Sequence, residues 1–144
     1  MLSQEAIILK LNWFYSLELN QVDLYYAQSK KVPDIYLKKT LERVAVIEDQ
    51  HVKNISEMIR QFGGEPTIIG EYVAPITGKI AGDVIGRAGI ANLLKANIAL
   101  ENKAMKDYRD FILRAGNNKE LSELLWNNLI DEDLHTAWFS NYKQ

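Results

Sequence analysis

The chain has 144 residues, 47% of them hydrophobic, which is the size and apolar content of one ordinary domain with a continuous core. Lys and Arg number 17 against 19 Asp and Glu, and the formal charge of -2 offers no broad positive field for a phosphate backbone, so nucleic acid is not an expected partner. There is no Cys, which excludes disulfides, zinc knuckles, thiolate catalysis and thiolate-held iron within the chain.

The opening stretch MLSQEAIILKLNWF carries acidic and polar residues early and has no small-residue cleavage pattern, so it does not read as a signal peptide and the expected location is the cytoplasm. No window approaches 18 consecutive apolar residues, which argues against a membrane-spanning helix and leaves contact with a membrane surface open. From Ser3 to about Lys30, apolar residues recur at Ile8, Leu11, Tyr15, Val22 and Tyr25, the three-and-four spacing of one helical face. Pro33 disfavours helix at Val32, and Asp34 can cap a second helix. Its seam is Leu37, Leu41, Val44, Glu48, His51, Ile55, Met58 and Phe62, and Gly63 and Gly64 suit a left-handed stop.

A third helix runs to about Gly116 on the seam Ile90, Leu94, Asn97, Glu101, Ala104, Tyr108 and Phe111, ending in the turn AGNN. A fourth begins near Asn118 with the seam Leu121, Leu125, Asn128, Glu132, His135, Phe139 and Tyr142. No segment with β periodicity competes. Short links join the first helix to the second and the third to the fourth, whereas GEPTIIGEYVAPIT is long. The expected fold is therefore all-α: one domain over residues 1–144, an antiparallel four-helix bundle with one long crossover between helices two and three. The run GKIAGDVIG places Gly78, Gly82 and Gly86 on one stripe of the early third helix, each costing about 1 kcal/mol against Ala. Close packing on a neighbouring helix, a contact with a partner chain and an interfacial membrane face would each compensate, and the sequence does not choose among them.

Every seam carries a Glu: Glu18, Glu48, Glu101 and Glu132. The only two histidines, His51 and His135, each follow a seam Glu by three. Glu48 follows Glu18 by 30 residues and Glu132 follows Glu101 by 31, as if one helical hairpin were duplicated. Glu18 and Glu48 lie about 15 residues either side of the first turn, or roughly 22 Å along each helix at 1.5 Å per residue, so they arrive at one level. The second hairpin repeats this, and all six side chains can meet in mid-bundle. Glu and His at i and i+3 project one turn apart from one face, and four carboxylates with two imidazoles suit two divalent ions. Four negative charges against four positive leave a buried site near neutrality. The alternative is a metal-free structural bundle with polar core residues satisfied by one another, but no seam carries a Lys or Arg to offset four buried carboxylates.

At these six residues the chain resembles the ferritin-like di-iron carboxylate superfamily, which includes bacterioferritins, rubrerythrins and the demethoxyubiquinone hydroxylases. The pattern Glu, Glu-x-x-His, Glu, Glu-x-x-His spans the whole chain. The resemblance implies that Glu48 and Glu132 bridge two metal ions, that Glu18 and Glu101 are terminal ligands, and that His51 and His135 serve one ion each. It implies iron, with manganese possible, since ligand type alone does not choose between them. Asp49 stands where bacterioferritins have a haem-ligating Met, so no haem is expected, and the short fifth helix used in cage assembly is not seen. Ala104 replaces a second Glu typical of rubrerythrins, and their rubredoxin-like site would need Cys. The small-residue run from Pro75 to Asn102 is similar to the third-helix entry of the hydroxylases.

An Asp directly before a bridging Glu orients a His in several members of that superfamily, a place filled here by Asp131 but not by Ile47. Tyr25 and Tyr108, seven residues after Glu18 and Glu101, read first as core residues and alternatively as hydrogen-bond donors to ligands. Asn97 and Asn128, four before Glu101 and Glu132, could anchor ligands or bond each other. Trp13, Trp126 and Trp138 are expected to pack beside the core. The leading functional expectation is a di-iron oxidoreductase acting on O2 or peroxide, with an external electron donor because no cysteine-held relay exists in the chain. The hydroxylase resemblance implies an apolar or quinone-like substrate, and a homodimer is the expected assembly. Iron binding with ferrous oxidation, or rubrerythrin-like peroxide removal, is the alternative.

Overall fold

A computed structural model describes residues 2–69 and 87–143 of the chain. Four helices make the bundle: α1 (Gln4–Ser29), α2 (Ile35–Gln61), α3 (Arg87–Arg114) and α4 (Lys119–Asn141). The starts of three are set by capping side chains that accept an otherwise unpaired backbone N–H: Ser3 from Ala6, Asp34 from Leu37 and Asn118 from Leu121. The helix ends use glycine. Gly63 follows α2 at φ 87° and Gly116 follows α3 at φ 82°, both in the left-handed region that side chains with a Cβ resist. The α1–α2 and α3–α4 links are short, so each pair is an antiparallel hairpin, and residues 62–86 cross over between the hairpins. The glycine stripe at Gly78, Gly82 and Gly86 lies outside the described residues.

Two apolar clusters fill the bundle, one at each end. Ile7, Leu11, Phe14, Ile55, Met58, Tyr108, Phe111, Leu121 and Leu125 pack where α1 and α4 start and α2 and α3 finish. Leu24, Tyr25, Leu37, Leu41, Val44, Ile90, Leu94 and Phe139 pack at the other end. Each fully buried Leu or Phe contributes roughly 1.5–3 kcal/mol, so the two clusters carry the fold and the middle layer is free to be polar. The seams expected for α2 and α3 are buried as expected, apart from half-buried Phe62. On α4 Tyr142 is half-buried, and its hydroxyl donates to Asp34 Oδ2 at 2.8 Å, tying the end of α4 to the start of α2.

α1 departs from its expected seam. Ile8, Tyr15 and Val22 are only half-buried, while Ile7, Phe14 and Gln21, one residue earlier in each case, are fully buried. The helix is also covered on a second side, because the start of the crossover lies along it. Asn12 donates from Nδ2 to the Glu65 carbonyl at 3.3 Å and accepts the Thr67 N–H at 2.6 Å. Ser16 accepts the Ile69 N–H at 2.7 Å and donates to the Asn12 carbonyl of its own helix at 2.9 Å, with the Thr67 carbonyl 3.4 Å away. Four residues of helix rise about 6.0 Å and two residues of extended chain about 6.6 Å, so side chains at i and i+4 can serve backbone groups two residues apart like rungs of a ladder. Asn12→Ala removes two such bonds. It is expected to lower unfolding free energy by about 2 kcal/mol and to speed proteolytic cleavage near Thr67, read by urea titration and limited digestion.

Trp13 and Trp138 pack against the core as expected. Trp126 does not: it is 49% exposed, because it sits on the outer face of α4 one position beyond the buried Leu125.

Candidate metal centre

Between the two apolar clusters the six singled-out residues meet. Glu18, Glu48, Glu101 and Glu132 are completely buried, and His51 and His135 nearly so. They form two overlapping groups, Glu18–Glu48–His51–Glu132 and Glu48–Glu101–Glu132–His135, in each of which one ligand atom per residue lies within 4.8 Å of the others. Glu48 and Glu132 belong to both groups, so each hairpin supplies three members of one group and lends one carboxylate to the other. His51 Nδ1 stands 3.4 Å from Glu18 Oε2, 3.3 Å from Glu48 Oε2 and 3.2 Å from Glu132 Oε1. His135 Nδ1 is 3.0 Å from Glu48 Oε1 and 3.6 Å from Glu101 Oε1.

These spacings fit a shared cation. Donors held about 2.1 Å from one divalent ion are about 3.0 Å apart along an octahedral edge and about 3.4 Å along a tetrahedral one. The same atoms do not satisfy one another. Glu18 Oε2, Glu101 Oε2, both oxygens of Glu48 and Glu132, and Nδ1 of both histidines are buried without a hydrogen-bond partner, although native proteins pair nearly all such groups. The buried polar residues in the described part of the chain include no Lys or Arg. Burial followed by the charges of Glu18 and Glu101 pushes Glu48 well above the carboxylate range, and burial followed by Glu101 and Glu18 does the same to Glu132. Burial opposes charge on His51, but Glu18 and the bond to Asp131 outweigh it and raise its pKa. Without a cation Glu48, Glu132 and His51 therefore hold their protons to higher pH than the free side chains do, and metal binding would compete with those protons.

The surrounding shell is specific. Tyr25 donates to Glu101 Oε1 at 2.5 Å and Tyr108 to Glu18 Oε1 at 2.7 Å, so each tyrosine holds a buried carboxylate of the opposite hairpin. Asn128 donates to the Tyr108 hydroxyl at 3.1 Å. Asn97 and Asn128 do not bond each other: Asn97 exchanges two 2.9 Å bonds with Gln28, a buried residue not anticipated from the sequence. Gln21 is a second such residue, fully buried one turn beyond Glu18 with neither end of its amide paired. His51 Nε2 lies 2.7 Å from Asp131 Oδ2, and the carboxylate accepting that proton leaves Nδ1 directed at the glutamates. His135 has no equivalent, and its Nε2 is also unpartnered.

No protein-family model matches the chain, and no curated protein sequence matches it. Solved structures do. One is a dodecameric thioferritin, a bacterioferritin-related protein from Bacteroides fragilis, at a TM-score of 0.82 and 18% identity over 98% of this chain and 86% of that one. Another is the Desulfovibrio desulfuricans bacterioferritin, described with its di-iron site in different catalytic states, at 0.76 and 21% identity over 96% and 78%. This is the ferritin-like fold. In this ferritin-like bundle Asp49, at the position where the resemblance places a haem-ligating Met, is partly exposed and paired with Lys53 at 3.0 Å. No helix among the described residues is long and apolar enough to cross a membrane.

Proposed function

We propose that this ferritin-like chain binds two iron ions, with manganese as the competing metal, and uses them as a redox centre for O2 or peroxide. The observation that carries the reading is the pair of overlapping four-residue groups built from otherwise unpaired buried donors. Glu48 and Glu132 are proposed as bridges, Glu18 and Glu101 as terminal ligands, and His51 and His135 as one ligand to each ion. Two iron ions so held would supply the electrons for reducing O2 or peroxide.

The chain's own residues bind and orient. Tyr25 and Tyr108 restrain Glu101 and Glu18, so the terminal carboxylates keep one oxygen directed inward. Glu48 and Glu132, set among negative neighbours, have raised proton affinity, so cation binding there would compete with protons at these two carboxylates. The apolar clusters above and below exclude water, which strengthens each electrostatic contact within. An external donor must return electrons, since no Cys is available to hold a relay. Haem is not part of the proposal.

A second reading, ferrous oxidation without an organic substrate, is favoured by the ferritin and bacterioferritin character of the two structural neighbours. Assembly size separates the readings, because storage needs a hollow shell whereas an oxidase acts as a monomer or homodimer. The primary test is metal analysis after purification, then ferrous titration under argon and exposure to O2. Two irons per chain and an oxo-bridged ferric absorbance on oxidation support the site; a folded chain that takes up neither iron nor manganese refutes it. Asp131→Ala is expected to weaken the His51-side ion about 10–100-fold and leave the other nearly unchanged, resolved by two-phase metal titration.

A further inference from the structure

The duplicated hairpins differ at one pair of positions beside the bridging carboxylates. Asp131 precedes Glu132 and holds His51, whereas Ile47 precedes Glu48 and offers His135 nothing to bond. The consequence is visible on the open α2–α4 face, where a cleft of about 600 Å3 ends on His135 and is lined by Ile47, Val44, Leu134 and Trp138. Ile35, Tyr36 and Leu134 on its walls are 63%, 65% and 62% exposed, and Tyr36 stacks on Trp138 with ring centroids 5.8 Å apart. The apolar wall has a cationic rim. Lys39 and Arg43 line the cleft, no carboxylate does, and Arg43 has no partner for its charge among the described residues. Lys39 is paired with Glu42 at 3.2 Å, so Arg43 supplies the uncompensated positive charge at the rim, which complements a molecule with an apolar body and an anionic head.

We propose that this cleft binds an amphipathic carboxylate, an aliphatic or aromatic acid whose head pairs with Arg43 and whose body lies along Ile47, Leu134 and Trp138 toward His135. The volume suits a small organic ligand, and the wall chemistry matches sites that are mainly apolar with a few polar groups fixing orientation. The proposal rests on the metal reading only for what the ligand's inner end meets. The cleft itself does not. It places the organic molecule on one side of the centre, over the histidine that lacks a carboxylate partner, and leaves the Asp131 side polar.

The test is calorimetric titration of the purified protein with decanoate, 1-octanol and butyrate, with Trp138 fluorescence as a second signal and iron counted on the same samples. Expected is one saturable decanoate site per chain, with octanol and butyrate weaker by about tenfold or more, because each lacks either the charge or the apolar body. Arg43→Glu is expected to weaken decanoate by about tenfold or more while helicity and iron content stay unchanged. Absence of saturable binding, equal affinity for octanol, or indifference to Arg43→Glu overturns the proposal. So does a dimer that binds no decanoate and dissociates on Leu134→Glu, since a second copy then covers this face. Decanoate binding without iron uptake would sink the metal assignment and spare the cleft; iron uptake without decanoate binding would do the reverse.

Discussion

Glu132→Leu is expected to abolish tight binding of both metal ions and, in the same protein, to raise the stability of the metal-free chain. The two effects have one cause. Glu132 belongs to both four-residue groups, so on the proposed reading its loss takes one donor from each ion, at about 3–5 kcal/mol for breaking a buried charged contact. In the absence of metal, Glu132 is one of four fully buried carboxylates and both of its oxygens lack partners. Replacing it with an apolar side chain of similar volume is expected to stabilise that state by about 1–4 kcal/mol. His135→Ala is the contrast, because His135 belongs to one group only and should cost one ion while the other binds. Metal stoichiometry and thermal melts with and without chelator check both variants. A residue that served only the core would give a single destabilisation, independent of metal.

Chelation is expected to invert the pH dependence of stability. In the metal-free chain Glu48 and Glu132 have pKa values raised well above 4.5, and His51 and His135 have values raised above 6.5. A group whose folded pKa exceeds its unfolded value binds more protons in the folded state, so its contribution is complete below the unfolded pKa and is lost as pH rises through the folded one. For the two glutamates this loss begins above about pH 4.5 and for the histidines above about 6.5. Glu18, whose pKa is lowered by His51 against the effect of burial, opposes this with one group against four. The chelated protein should therefore melt at lower temperature as pH increases from 5 to 8. The loaded protein should do the opposite over that range, since metal binding displaces those protons and tightens as pH rises. Melting curves at several pH values, with and without chelator, decide it; parallel slopes would contradict the ligand assignment.

The six clustered residues were legible in the sequence because they break a rule locally. A Glu or His on an otherwise apolar seam stands out, and Glu48–His51 and Glu132–His135 do so twice at the same spacing. The seams of α2, α3 and α4 were legible for a related reason: each helix has one buried face and one wet face. α1 does not. The crossover backbone covers Asn12 and Ser16 while the bundle covers Ile7, Phe14 and Gln21, so burial extends around much of the helix and apolar periodicity no longer marks the core side. The rungs made by Asn12 and Ser16 leave no periodic signature, because their partners are backbone groups some 50 residues away. The position of Asp131 pointed to a histidine, but only the fold assigns it to His51 on the opposite hairpin rather than to its own neighbour His135.

The lending of carboxylates between hairpins has a consequence for how the molecule assembles. Backbones approach closely within each hairpin, whereas the hairpins meet mainly through side chains, with the polar layer at the centre of that seam. On the proposed reading each hairpin is an incomplete chelate, holding three of the four donors of one group, and completes itself only by borrowing from its twin. The ions then act as rivets between two halves of common design. The apolar clusters at either end also join the two halves, so a chain nicked in its crossover would stay associated in both forms and would be held more tightly in the loaded one than after the rivets are drawn.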